Sequence, residues 1–233
     1  MTKEYLGITL MVITYVCYAI FLWRIIWRIL LLLKVPNDRN KESLPVSHIA
    51  PVTILRGVRD VLLLTRLFRV NKLLWIGEWI FHWTFLLVLM RHLKYFFFPL
   101  PAFVAGFDSL GLFAGYVFYL SLIYILIVKY RIEKSRYFST YNFFLLILLL
   151  MIGMTGILMT NIMHPDIVEI KYFVLNLLIF NPVSIPQSML FNIHFNMTLV
   201  FLVSLPTHIF AAPYTIFNAR QCEDRFDLLI HEK

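Results

Sequence analysis

Apolar and polar residues are distributed along this chain in long blocks, not in short alternation. Five apolar blocks, at about residues 5–33, 74–97, 109–129, 139–163 and 190–212, meet the length that a helix needs to cross a hydrocarbon layer about 30 Å thick, about 20 residues. The stretches between them carry breakers: Pro36-Asn37-Asp38, Pro99-Leu100-Pro101, and Asn181-Pro182 through Pro186. The pattern predicts an all-α integral membrane protein, a bundle of five transmembrane helices forming a single membrane-embedded domain over residues 1–233. The first block has no small-residue cleavage site, and Arg24 and Arg28 follow its apolar part. It reads as a retained anchor, not as a removed signal.

The stretch 51–72 has a different pattern. Arg56, Arg59, Arg66 and Arg69 fall within a sector of about 140° on a helix, and Leu and Val fill the rest. This predicts one interfacial amphipathic helix at about 52–70, lying on the lipid surface. The same basic face suits docking of a cytoplasmic partner, and the two roles are compatible. Gly111-x-x-x-Gly115 and Gly153-x-x-Gly156 suit close helix contact.

Composition agrees with the pattern. Of 233 residues, 61% are hydrophobic and only 15% charged, against roughly 25% charged in an average soluble protein. That excludes a soluble globular enzyme, a disordered chain and a disulfide scaffold. The two cysteines, Cys17 and Cys222, form no CxxC and no haem-attachment motif. The net charge of +8 would suggest nucleic acid on a soluble protein, but here the basic residues flank the apolar blocks. Ten Lys and Arg lie in 24–72, four in 129–136 and three after 212. Only Lys3, Arg91, Lys94 and Lys171 lie on the other side. Seventeen against four predicts the N-terminus outside and the C-terminus in the cytoplasm, with no nucleic-acid partner.

The candidate chemistry is histidine. His48, His164 and His231 read as solvated or interfacial. His82 and His92 lie in the second span, His194 and His208 in the fifth. Ionisable side chains within a membrane usually face the protein interior and have a partner. His82 and His92 are ten residues apart, about 15 Å of helix rise; His194 and His208 are fourteen apart, about 21 Å. The spans are antiparallel, so His82 matches His208 towards the inner side and His92 matches His194 towards the outer side. Tilt, and a bend at Pro206, must absorb the difference of about 6 Å.

Two imidazoles on opposite sides of a macrocycle are what a six-coordinate haem requires, and they leave no open position for a substrate. The pairs predict two haems, one per leaflet, with His82 and His208 on the inner iron and His92 and His194 on the outer iron. The alternative is a set of hydrogen-bonded interior histidines without metal. HxxH, HxxxH and HExxH spacings do not occur, which disfavours a helical zinc site. Glu78, one turn from His82, reads as a solvated helix-end carboxylate or, less economically, as part of a proton path. Arg91, Lys94 and Tyr95 surround His92. The two cations are suited to haem propionates or quinone carbonyls, and equally to ordinary snorkelling in an aromatic belt.

The strings Gly77-Glu78-Trp79-Ile80-Phe81-His82-Trp83 and Arg91-His92-Leu93-Lys94-Tyr95-Phe96, within five spans, resemble the respiratory nitrate reductase gamma-subunit family of di-haem cytochromes b. Arg-His-Leu-Lys-Tyr-Phe is similar to the branch in anaerobic sulfur metabolism, the cytochrome b subunits of the Dsr and Hme complexes and of the membrane heterodisulfide reductase. The fourteen-residue spacing in the fifth span is shorter than in the nitrate reductase members, which points away from nitrate reduction. The resemblance implies two haem b groups on the four histidines and menaquinone or menaquinol as substrate. It also implies a cytoplasmic iron–sulfur partner of the heterodisulfide reductase type, further membrane subunits, and a multi-pass location in a prokaryotic cell membrane. The expected function is an electron-transfer subunit of an oxidoreductase complex, linking the quinone pool to that partner, with no catalytic side chain of its own. The rivals are a His-relay proton channel or transporter, and a nitrate reductase gamma subunit.

Overall fold

The computed structural model describes residues 2–34, 51–132 and 139–206. Among these there is no β-strand. The chain runs α1 (Thr2–Lys34), α2 (Pro51–Leu62), α3 (Thr65–Val70), α4 (Lys72–His92), a short 3-10 turn (Leu93–Tyr95), α5 (Ala102–Ile132), α6 (Thr140–Leu158), a π turn (Met159–Met163) and α7 (Ile167–Leu178). The described part of α8 is Met189–Pro206. Five helices are long and apolar enough to cross a membrane: Tyr5–Leu31, Lys72–Tyr95, Ala102–Arg131, Thr140–Met163 and Met189–Pro206. The protein is a multi-pass membrane protein.

Two expectations need adjusting, and one connection holds a further helix. The third span begins at Ala102, not near 109. Asp108 interrupts the apolar block in the sequence, but its carboxylate meets Arg91 and Lys94 of α4, so the helix continues through it. The segment 52–70 is two helices, not one. Leu64 adopts a left-handed conformation with φ 50, which breaks the helix between Leu62 and Thr65 and disrupts the continuous arginine sector. Asp60 is buried there, hydrogen-bonded by the Thr65 hydroxyl. The connection between the fourth and fifth spans carries a helix, α7. Asp166 caps it, accepting from the backbone N–H of Val168 at 2.8 Å and of Glu169 at 3.4 Å.

The spanning helices pack by complementary local pairs. The antiparallel α4 and α5 form an extended contact: the Tyr124 hydroxyl donates to Leu73 O at 3.1 Å, Phe85 stacks on Phe118, and Gly111 lies against Arg91. A Cβ at Gly111 would come within 2.5 Å of Arg91 Cβ, whereas one at Gly115 would meet nothing within 4 Å. Only the first glycine of that motif is therefore needed for close approach. Phe81, Phe85, Phe118 and Phe201 join α4, α5 and α8 around the buried Leu122 and Ile125. A second cluster gathers Leu10 of α1, Ile170, Phe173 and Val174 of α7, and Phe191 of α8. α1 runs parallel to α8: Gly7 packs on the Val183 carbonyl at one end, and Arg24 donates to Val203 O at 2.7 Å at the other. These contacts fix the rotation of α8, which carries one half of the candidate site.

Candidate functional site

His92 is the last residue of α4, and His194 lies in the first half of α8. The antiparallel packing brings them to one level. Their ring centroids are 6.4 Å apart and their planes differ by 5°. That separation is too large for direct ring contact. It matches a different geometry. A metal–imidazole bond of about 2.0 Å, plus about 1.1 Å from nitrogen to ring centre, counted once for each ligand, gives about 6.2 Å across a shared ion.

Each imidazole has one nitrogen already engaged. His92 Nδ1 lies 2.7 Å from the Val88 carbonyl, one turn back on its own helix. A carbonyl only accepts, so Nδ1 carries the proton and Nε2 keeps the lone pair. His82 Nδ1 lies 2.6 Å from the Glu78 carbonyl in the same arrangement. His194 uses another helix. Its Nδ1 is 2.8 Å from Thr155 Oγ1 of α6. The threonine hydroxyl donates back to Met151 O or Ile152 O, at 3.0 and 2.9 Å. Its oxygen then accepts from His194 Nδ1–H, again leaving Nε2 free. An engaged Nδ1–H and an available Nε2 are the usual condition of a metal-ligating histidine.

The residues present fit a haem better than a bare ion. Among the described residues no three His, Cys, Asp or Glu side chains gather. A zinc-like ion between His92 and His194 would lack its remaining ligands. A macrocycle brings four of its own and needs only two axial nitrogens. Gly156 of α6 faces the His194 ring, where a Cβ would stand 3.6 Å from Cε1.

His82 lies ten residues earlier on α4, exposed, with Phe81 edge-on at 4.8 Å. Its expected partner, His208, lies outside the described residues, as do His48 and His231. His164 is exposed and ends the π turn in a left-handed conformation, φ 33, in keeping with an interfacial role.

Arg91 and Lys94 flank His92 as the sequence requires, but both reach a carboxylate that the sequence reading passed over. Asp108 Oδ1 accepts from Arg91 Nε at 3.1 Å and from Lys94 Nζ at 2.6 Å. A guanidinium has five N–H donors and an ammonium three, so Asp108 takes one donor of each. Glu78 is not a solvated helix-end group. It pairs with Lys129 of α5 at 3.1 Å, and its side chain is only 18% exposed.

Three residues at the site were therefore missed: Thr155, Asp108 and Lys129. Asp108 had a signal, a lone carboxylate one turn or two after Pro101 and across a short connection from two cations. Lys129 ends the third block and looks like an ordinary flanking charge. Thr155 had no signal, because nothing local connects it to residue 194.

No protein-family model matches the chain, and no solved structure matches it. Two curated relatives do. The "Hdr-like menaquinol oxidoreductase cytochrome b-like subunit" of Archaeoglobus fulgidus is 28% identical over 149 residues, 57% of this chain and 45% of the relative. The protein of the same description from Archaeoglobus profundus is 26% identical over 153 residues, 58% of this chain and 45% of the relative. The match thus spans about half the length of the curated relatives. Both names fall on the heterodisulfide reductase side of the resemblance carried by the two histidine strings.

Proposed function

We propose that this multi-pass membrane protein is a di-haem cytochrome b subunit that carries electrons between menaquinol and a cytoplasmic iron–sulfur partner in a complex of the Hdr-like type. The observation that carries the reading is the pair of parallel imidazoles, His92 and His194, 6.4 Å apart at their centres with both Nδ1 atoms engaged. The names of the two relatives support the same reading.

In this proposal His92 and His194 hold the outer haem, and His82 and His208 the inner one. When bound, haem supplies one-electron exchange, which no side chain of this protein offers. The protein's part is ligation, orientation and burial. The Val88 and Glu78 carbonyls and the Thr155 hydroxyl fix the tautomer and the ring rotation of the three described histidines of the spans, His92, His82 and His194. Arg91 and Lys94, at the His92 end, retain donors beyond those given to Asp108 and are suited to a propionate or a quinone carbonyl. With the N-terminus outside, that end faces outward, quinol protons are released there, and electrons move inward along α4 and α8. Anaerobic, sulfur-linked respiration is the proposed setting.

The test is a visible spectrum of the purified protein after dithionite reduction, with a pyridine haemochrome assay. A sharp b-type α band and two haems per chain are expected. His92→Ala and His194→Ala should each remove one haem, and the same one. Colourless wild-type protein, or two haems retained in His92→Ala, would overturn the proposal.

A further inference from the structure

The three described histidines of the spans are oriented in two different ways. His82 and His92 each donate Nδ1–H to the carbonyl four residues earlier on their own helix. Backbone supplies that acceptor, so neither ring depends on a neighbouring side chain. His194 does not use the equivalent carbonyl of Leu190. Its Nδ1–H goes across to Thr155 on α6 at 2.8 Å.

Thr155 is 4% exposed, so water does not replace the hydroxyl if it is removed. The hydroxyl is also part of a chain. It donates to Met151 O or Ile152 O while accepting from His194. Donating polarises the oxygen and strengthens it as an acceptor, as in any cooperative hydrogen-bond series. The neighbouring Gly156 leaves the ring room beside α6. Rotation of the His194 imidazole is thus tied to the spacing between α6 and α8, whereas rotation of His92 is tied only to α4.

We propose that Thr155 is a positioning residue that orients His194 and sets how strongly this imidazole donates to the outer iron, making that haem's potential adjustable through a side chain on a third helix. This rests on the haem reading above. The physical reason is that an imidazole whose N–H is hydrogen-bonded is the more basic ligand. A more basic ligand favours the ferric over the ferrous state. Replacing the hydroxyl removes the acceptor that Nδ1–H has in the structure, makes the ring a weaker donor and favours the ferrous state.

The experiment is potentiometric titration of the α band in membranes holding wild-type, Thr155→Val and Thr155→Ser protein, with the ferric low-spin EPR signal of each. Valine keeps the volume and loses the acceptor; serine keeps the acceptor. In Thr155→Val the reduced-to-oxidised ratio of one haem, the one lost in His92→Ala, should rise about tenfold at fixed ambient potential, a shift of about 59 mV for a one-electron couple. The other haem should titrate as in wild type, and Thr155→Ser should restore the wild-type potential and EPR signal. Loss of one haem in Thr155→Val with retention in Thr155→Ser supports the same role. Titrations that superimpose for Val and wild type, or equal effects of Val and Ser, would overturn it and leave the haem reading intact. Wild-type protein without haem would instead overturn the reading beneath it. Should the valine chain fail to accumulate, Thr155→Cys, whose sulfur is a weaker acceptor, should give an intermediate shift; no shift there would also overturn the inference.

Discussion

Glu78 Oε1 of α4 and Lys129 Nζ of α5 lie 3.1 Å apart, with side chains 18% and 24% exposed. The backbone carbonyl of the same Glu78 orients His82. The ion pair therefore ties α5 to the turn that holds a proposed ligand. Breaking a fully buried pair costs about 3–5 kcal/mol, and the partial exposure here reduces that to about 1–2 kcal/mol. Glu78→Gln and Lys129→Met should each lower the melting temperature of the solubilised protein, and the double variant should recover part of the loss. Strictly additive losses in that double-mutant cycle would show that the pair does not couple the helices.

The two glycines of Gly111-x-x-x-Gly115 should respond in opposite ways to alanine. At Gly111 a Cβ would lie 2.5 Å from Arg91 Cβ, next to the α4 backbone and not at the flexible end of a side chain. The helices must move apart, at about 1–3 kcal/mol as for other overpacked contacts. At Gly115 a Cβ meets nothing within 4 Å, and alanine is favoured over glycine in a helix by up to about 1 kcal/mol. Thermal melts in detergent should show a clear loss for the first and none for the second.

Asp108 binds Arg91 at 3.1 Å and Lys94 at 2.6 Å through one oxygen, with its own side chain 53% exposed. Exposure on that side keeps the contribution small, on the order of 1 kcal/mol. Asp108→Asn should lower the melting temperature slightly and weaken its dependence on salt, because the screened charge is gone. An unchanged salt dependence would mean that the two cations are neutralised elsewhere.

The 5° angle between the His92 and His194 planes predicts a spectroscopic signature. Parallel imidazoles donate into the same iron d orbital and separate it in energy from its partner, while crossed imidazoles leave the two nearly equal. The ferric low-spin EPR spectrum of the haem lost in His92→Ala should be rhombic, with three resolved g values. A single large-g ramp for that haem would contradict the ring geometry.

The sequence alone determined the number of spans and which stretches form them, because the length of an apolar block is a local property and a bilayer has a fixed thickness. It also determined that His92 and His194 share a level. Helical rise per residue is constant, so depth along an antiparallel pair can be read by counting. Tertiary structure decided everything that depends on rotation and tilt. It set the third span's start at Ala102 by giving Asp108 two cationic partners, broke the 52–70 segment at Leu64, and placed α7 against α1 and α8. It also gave His194 its acceptor on α6. Thr155 and His194 are 39 residues apart, and which faces of their helices meet is set by the packing of Gly153, Gly156 and the aromatic clusters. Hydropathy reports whether a residue is in the membrane; only the assembled bundle determines which neighbour it meets there.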